Sequence, residues 1–528
     1  MKKWTVVIIL ACAQFVMVLD STVMNVSIST VVKDLHTTVA SMQACITFYT
    51  LTMAALMLLG AKLGDIWGRR KAFIVGAIIY ACGSLITALS PNIQTLFIGW
   101  SVIEGVGAVL VIPAIAALAA NNYKGKDRVT AFAIIGGISG AAMAAGPLIG
   151  GFVTTYLSWR YVFLAEVVIM ALILLSRGKV TDTAKRLKIK IDIWSVLLSS
   201  VGLVSLVFGM LQSKTWGWIS PRSAPVWNGH EIKPLGISLV AYLILAGMIL
   251  LRMFYSRQQK LVEDGRSPLL DPALLSIRQL RSGLSVLMSQ YTMIAGVFFI
   301  IPVYLQMTLG YDALKTGIKI MPLSLALIVF SVIGTRLAGK WSPKRIIRVG
   351  QIALVASSAL LLASVSLTLK SILFAGGMLF MGAALGLLAS QIGNVNMSSA
   401  SKDKSSEVGG LQGVFQNLGA SLGTALIGSV LIASLGNNFN SYVQASTLPS
   451  NIKTTVAAKS KEGIAIVPLS QVNSYAQSRG ISASDADELT QVYSNSQIDA
   501  LRTSLYALIF LAVVSLLFSK NIPDEETG

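Results

Sequence analysis

Histidine is almost missing from this chain: His36 and His230 are the only two among 528 residues. Both fall in polar stretches between apolar runs, so a haem held by histidine inside an apolar segment is excluded. Cysteine is nearly as scarce. Cys12, Cys45 and Cys82 lie within apolar runs at no disulfide or metal-ligand spacing, and they read as small packing residues. Charge is thin, at 12% of residues against 54% hydrophobic, and the mean hydropathy is +0.72. A soluble protein of this length would need far more charge to cover its surface. A Gly-x-x-x-x-Gly-Lys-(Ser/Thr) phosphate loop is absent, and so is any Cys/His/Asp constellation. An ATP-driven pump or a membrane enzyme is therefore unsupported, and no cofactor or metal is expected.

What the chain does have is a series of apolar runs about twenty residues long, the length that crosses a bilayer core. About fourteen can be counted, centred from Phe15 to Phe510. The first, "MKKWTVVIILACAQFVMVLD", continues past Cys12 to Leu19 and is expected to be an uncleaved span. The net charge of +19 sits mostly in short loops such as "KLGDIWGRRK", "YKGKDR" and "GKWSPKRIIR". No basic face with interleaved aromatics emerges, so nucleic acid is not the expected partner. The basic loops follow the even-numbered spans, which places them, and both termini, on the cytoplasmic side of a plasma membrane. Membrane lipid is the surrounding partner, and a monomer is expected.

The chain also echoes itself. "GAKLGDIWGRRK" from Gly60 aligns without a gap with "GTRLAGKWSPKR" from Gly334. Gly60 meets Gly334, Lys62 meets Arg336, Leu63 meets Leu337 and Trp67 meets Trp341, while Asp65 becomes Gly339. Both copies end an even-numbered span, which fits a parallel repeat of six spans. The expected architecture is all-α: an N-terminal six-helix bundle (1–178), two inserted transmembrane helices (179–257) and a C-terminal six-helix bundle (258–528). A polar stretch at about 436–500 precedes the last span. Its composition allows a small helical hairpin or a disordered loop.

These motifs resemble the major facilitator superfamily, and within it the fourteen-span drug:proton antiporters. In "GAKLGDIWGRRK", Leu63, Gly64, Asp65, Gly68, Arg69 and Arg70 match the family's loop between spans 2 and 3, with Ala61 and Ile66 as departures. The glycines permit a tight turn, Asp65 can meet the positive end of a helix, and the arginines can pair with carboxylates. The resemblance implies that this loop is a conformational latch. "SGAAMAAGPLIGG" is similar to the family's antiporter motif, with Gly146, Pro147, Gly150 and Gly151 in place and Ala142 for its first glycine. Small residues at this spacing let helices approach closely, and the proline bends the span; the resemblance implies export. "LDSTVMNVSIS", with Asp20, and "SWRYVFLAEVV", with Glu166 where the subfamily has asparagine, extend the likeness to almost the whole chain. Span 4 departs from it. The family's Arg-x-x-Gln-Gly-x-Gly-Ala is here Ser101-x-x-Glu104-Gly105-x-Gly107-Ala108, so a mechanism that needs that arginine does not carry over.

Three carboxylates therefore lie inside apolar spans: Asp20, Glu104 and Glu166. Helix rise puts Glu104 near mid-membrane and the other two in the outer half. In the family's fold spans 1 and 4 line the central cavity and span 6 sits further out, which makes Glu166 the weaker candidate. No lysine or arginine is evident at comparable depth, so each acid is either protonated or hydrogen-bonded, or it pairs with something from outside. The expected chemistry is competition at a shared acidic site, with a proton entering or an organic cation leaving. Phe48, Tyr49, Gln290, Phe298, Gln416 and Asn417 are candidates to line the cavity. The leading reading is a proton-coupled exporter of amphipathic, cationic drugs or toxic compounds. The alternative keeps the fold and exports or flips an endogenous metabolite, lipid or peptide.

Overall fold

The computed structural model describes residues 4–182, 190–227, 230–338, 340–401, 404–462 and 464–524. Its helices are α1 (Thr5–Val26), α2 (Ile28–Asp34), α3 (Val39–Trp67), α4 (Arg69–Ala88), α5 (Ile93–Leu96), α6 (Gly105–Asn122), α7 (Gly125–Tyr156), α8 (Arg160–Leu175) and α9 (Ile193–Trp216). There follow α10 (Leu239–Glu263), α11 (Arg278–Val303), α12 (Ala313–Leu337), α13 (Pro343–Ser364), α14 (Ser371–Met397), α15 (Ser405–Ala445), α16 (Ser450–Glu462), α17 (Leu469–Ser478) and α18 (Ala483–Phe518). A two-residue ribbon pairs Val226–Trp227 with His230–Glu231 in the connection between α9 and α10. Among the described residues thirteen helices are long and apolar enough to cross a membrane, or fourteen if a bent pair in α7 is one span.

Polar caps set where the spans begin. The side chains of Thr38, Asp192, Asp312, Ser342 and Ser482 each accept a backbone N–H at the start of α3, α9, α12, α13 and α18, satisfying donors that a helix end leaves open. Gly68 turns the chain between α3 and α4 at φ +93°, a conformation open to glycine at little cost. In α7 the segments Ile134–Met143 and Ala145–Tyr156 meet at 44°. Pro147 has no N–H to offer the Met143 carbonyl, and the bend falls at that missing bond.

In the N-terminal half α1 packs on α7, and α4 packs on both α6 and α8. In the C-terminal half α14 packs on α12 and α13, and α15 on α11 and α18. The halves meet along α3–α15 and α7–α12. One face of the bundle carries the basic turns α3–α4, α6–α7 and α12–α13. On the opposite face α15 runs on to Ala445 and joins α16, α17 and the start of α18 in a helical cap. The cap has its own apolar centre of Val443, Leu448, Ile452, Ala476, Ala486 and Leu489. The polar stretch at 436–500 is thus helical. Gly339, opposite Asp65 in the internal echo, lies outside the described residues.

At the cap face the halves are tied together. Gln306 donates from Nε2 to the Val26 carbonyl at 2.7 Å and accepts from the Ser29 hydroxyl, and Leu314 N donates to Thr155 Oγ1 at 3.1 Å. A Cβ on Gly151 would lie 2.6 Å from the Ala313 carbonyl oxygen, whereas Gly136 and Gly137, nearer the basic face, have nothing within 4 Å. The α7–α12 seam is therefore closed at the cap face and opens toward the basic face.

The helices α9 and α10 pack on each other and, through α9, on α3 and α15. At the basic face Arg257 grips Asp192 with two hydrogen bonds of 2.5 and 2.6 Å. The Arg257 guanidinium, and then the Ser195 hydroxyl and N–H, hold the Asp192 carboxyl well below its ordinary value. A depressed folded-state pKa gives stability that is complete above the unfolded value of about 3.9 and is lost as pH falls through the folded one. Arg257→Gln should therefore lower the melting temperature in detergent at pH 7. The gap to the parent should narrow as pH falls below about 4, where the unfolded carboxyl takes up its proton and the clamp's contribution to the parent is lost toward the depressed folded-state value.

Candidate functional site

Span 4 starts irregularly. Asn92 caps α5, and the eight residues Phe97–Glu104 then form a π-helical segment before α6 resumes. Such wide turns rotate the side chains that follow and recur at functional sites. Glu104 closes the segment. Its backbone lies so near α4 that a Cβ on Gly83 would sit 2.5 Å from Glu104 N. A Cβ on Gly107 would likewise sit 2.5 Å from Tyr80 N. Two glycines thus bring the backbones of α4 and span 4 together around one carboxyl group.

Asp20 from α1 and Glu166 from α8 converge on the same point. Asp20, Glu104 and Glu166 each place a carboxyl oxygen within 4.8 Å of the others, and their exposures are 0%, 0% and 1%. Trp100 donates its indole N–H to both oxygens of Asp20, at 2.9 and 3.0 Å, and stacks on Tyr49 of α3 at 4.8 Å between centroids. Ser84 and Tyr80 of α4 donate to Glu166 Oε2 at 3.1 and 3.4 Å. Both oxygens of Glu104, and Oε1 of Glu166, have no hydrogen-bond partner among the described residues. Ser101, where the family keeps arginine, donates to the Cys45 carbonyl at 2.8 Å.

Two expectations need correction. Glu166, ranked below the other acids because its span is peripheral, is a full member of the cluster. The cluster is also not an open acidic wall facing the cargo. It is sealed within α1, α4, span 4 and α8, so a bulky cation cannot touch it in this conformation. Trp100, Tyr80 and Ser84 were not singled out from sequence. The signal for Trp100 was its place four residues before Glu104, which puts the two on one helix face.

The other predicted residues scatter. Tyr49 is buried beside the cluster. Phe48 points away from it and packs on Phe97 and on Phe208 of α9. Gln290 is 3% exposed and donates to the Leu385 carbonyl inside the C-terminal half, and Phe298 is buried in the core. Gln416 and Asn417 are half-buried on α15, and Asn417 Nδ2 returns to its own helix at the Gly413 carbonyl.

Gly146 and Gly150 lie against α1, where a Cβ would meet Thr22 Oγ1 at 1.8 Å and Val23 Cγ1 at 2.9 Å. The Pro147 carbonyl faces Gly317 of α12. The small-residue motif therefore joins α1, α7 and α12. At the basic face Arg69 bonds Asp65 at 3.4 Å and Asn121 at 3.1 Å. Arg70 bonds the Arg177 carbonyl from its side chain and Asp182 from its backbone N–H. Asp65, Asn121 and Arg177 belong to the N-terminal half, and Asp182 to the segment that follows it.

The Major Facilitator Superfamily profile matches residues 10–424. The chain is 32% identical over 367 residues to a puromycin resistance protein of Streptomyces alboniger, covering 68% of each chain. It is 26% identical to the tetracenomycin C resistance and export protein of Streptomyces glaucescens, over 99% of this chain and 93% of the relative. It is 25% identical to the multidrug transporter MdtP of Bacillus subtilis, over 99% and 94%. Its fold is similar to an inward-facing bacterial homologue of the human lysosomal transporter Spinster, with TM-score 0.60 and 13% identity over 99% and 98% of the two chains. A D-xylose–proton symporter gives TM-score 0.56 and 11% identity over 99% and 98%.

Trp100→Phe keeps the aromatic stack and removes the indole N–H that bonds both Asp20 oxygens. It should cost about 1–3 kcal/mol of stability, the usual penalty for orphaning a buried polar group. A denaturation midpoint unchanged from the parent would show that another group takes over the bond.

Proposed function

The chain belongs to the major facilitator superfamily, and from that premise we propose that it is a proton-coupled exporter of amphipathic drug-like or toxic compounds, cationic ones foremost, working by alternating access. The roles of the relatives, puromycin resistance, tetracenomycin C resistance and export, and multidrug transport, support the cargo class. The single observation that carries the coupling is the buried trio Asp20, Glu104 and Glu166, which no basic residue among the described residues neutralises. Three carboxylates this close in an apolar bundle cannot all be charged. They must hold protons, and the number held must follow access to water.

Orientation by basic loops puts the basic face and both ends of the chain in the cytoplasm. The cap face is then external, and this conformation is closed outside. Protons reach the trio when the external side opens and leave it when the internal side opens. The three acids are unequally placed: the indole N–H of Trp100 spans both Asp20 oxygens and fits a carboxylate, while Glu104 faces the other two acids without such a clamp. For an uncharged cargo each proton moving inward across 100 mV supplies about 2.3 kcal/mol, enough for roughly a fifty-fold gradient at one to one; a monovalent cation leaving one to one cancels that charge movement and is driven by the pH difference.

Cargo and proton need not compete by contact. Asp20 is two residues from Thr22, on which Gly146 of α7 rests. Trp100 stacks on Tyr49 of α3, the helix whose Gln43 holds the Thr424 and Ala425 carbonyls of α15 at 3.0 and 3.1 Å. Repulsion within the trio thus acts on the two helices, α7 and α3, that carry the seams between the halves.

In energised vesicles Glu104→Gln should lower proton-driven export at least about tenfold, while downhill exchange of the same cargo persists. Unchanged proton-driven export would sink the coupling role. Substrate-induced proton release from purified protein, screened over cations, anions and lipids, tests the cargo class, and a response confined to anions or lipids would reject the cation reading. Asp65→Asn tests the latch. The Asp65–Arg69 pair is partly exposed, so its loss should change stability by no more than about 1 kcal/mol; a large fall in transport at near-parental melting temperature would separate a conformational role from a folding role.

A further inference from the structure

We propose that the cap face holds a binding site for the phosphate headgroup of an anionic phospholipid, at the junction of the inserted helices with the two halves. A cleft of about 200 Å³ opens there between the last turn of α9, the start of α3, α15 and the segment after α16. It is smaller than the roughly 300–1,000 Å³ of pockets that hold drug-sized molecules, so it fits a headgroup better than a cargo molecule. Its polar lining includes Lys214, Arg222, Thr38 and Asn437, its apolar lining includes Ile432 and Ile464, and among the described residues no carboxylate lines it.

Its charge is unbalanced. Lys214 uses one of its three donors on Gln43 Oε1 at 2.7 Å, and it has no anionic partner among the described residues. Arg222 is exposed, and its guanidinium has no hydrogen-bond or ion-pair partner there either. Two cations lining one cleft, with no carboxylate among its described lining residues, attract an anion with several acceptor oxygens, and guanidinium matches phosphate geometry.

The site lies at headgroup depth. Trp216 ends α9, and Trp218, 45% exposed, follows it; tryptophan collects at membrane–water interfaces. Gln43, which receives the lysine, also holds the carbonyls of Thr424 and Ala425. A headgroup on Lys214 and Arg222 would therefore stiffen the α3–α15 seam at the cap face and favour the closed outer side. The acid trio takes no part in this site, and the inference does not depend on proton coupling.

The test is native mass spectrometry of the full chain with phosphatidylglycerol or phosphatidylcholine, alongside thermal shifts with inorganic phosphate alone. The basic loops of the opposite face also attract anionic lipid, so the variants are decisive. Arg222→Gln changes an exposed loop residue and leaves the fold intact. Affinity of the tightest phosphatidylglycerol should fall at least about tenfold in Arg222→Gln, and similarly in Lys214→Met, with phosphatidylcholine binding unmoved. The same anionic-lipid affinity in both variants as in the parent would overturn the site. Stabilisation by inorganic phosphate as strong as by the lipid would overturn the assignment to a lipid and give the cleft to a soluble anion.

Discussion

Asp20, Glu104 and Glu166 share an apolar bundle in which no lysine or arginine among the described residues answers them, and such a cluster can be neutral only by holding protons. Much of the local structure follows from that constraint. The π-helical segment turns Trp100 and Glu104 toward one centre, and Gly83 lets the backbone of span 4 close on α4. Tyr80 and Ser84 supply neutral donors that stabilise Glu166 without fixing its charge. A single arginine in the bundle would settle the cluster as a permanent ion pair. The absence of the family's span 4 arginine, with Ser101 bonded instead to the Cys45 carbonyl, leaves its charge free to change.

The two halves answer the same packing problem with different chemistry. In the C-terminal half, neighbouring helices are joined by amides that donate to backbone carbonyls: Gln351 to Ser515, Gln290 to Leu385 and Gln391 to Gly334. None of these groups titrates. If the internal echo marks a parallel repeat, α4 corresponds to α13 and α8 to α18. The tie from Ser84 to Glu166 then occupies the place of the tie from Gln351 to the Ser515 carbonyl. On the proposed coupling, one half would be a neutral frame and the other would carry a titratable joint, so that a change in protonation would strain one bundle against the other.

Much of this was legible in the sequence. Apolar run length gave the spans, and a twelve-residue echo suggested a repeat. The three acids stood out one by one because a carboxyl group in a span needs an explanation. Their convergence was not legible. It depends on a π-helical segment that no periodicity announces and on glycine contacts between helices distant in sequence. Phe48 shows the same limit. It reads as a cavity aromatic, but α9 lies against α3 and takes the ring into its own interface with Phe208. The cap helices were undecided between order and disorder because their apolar centre is built from four separate segments.

Sealing the acids away from the cargo path has a mechanical consequence. A cluster that touches its cargo can couple by direct competition, and its selectivity is then tied to the charge of what it binds. A cluster buried behind α1 and α3 can act only through the helices that carry it. Gly146 and Gly150 lock α7 to α1 at close contact, and the Ser421 hydroxyl bonds the Thr47 carbonyl to hold α15 on α3 at 3.0 Å. Rigid contacts of this kind shift between discrete packings instead of deforming gradually. Proton binding would then set which seam is closed, and cargo chemistry would be decided separately by the surfaces that the open seam exposes. This separation allows a single proton site to serve cargoes of different shape.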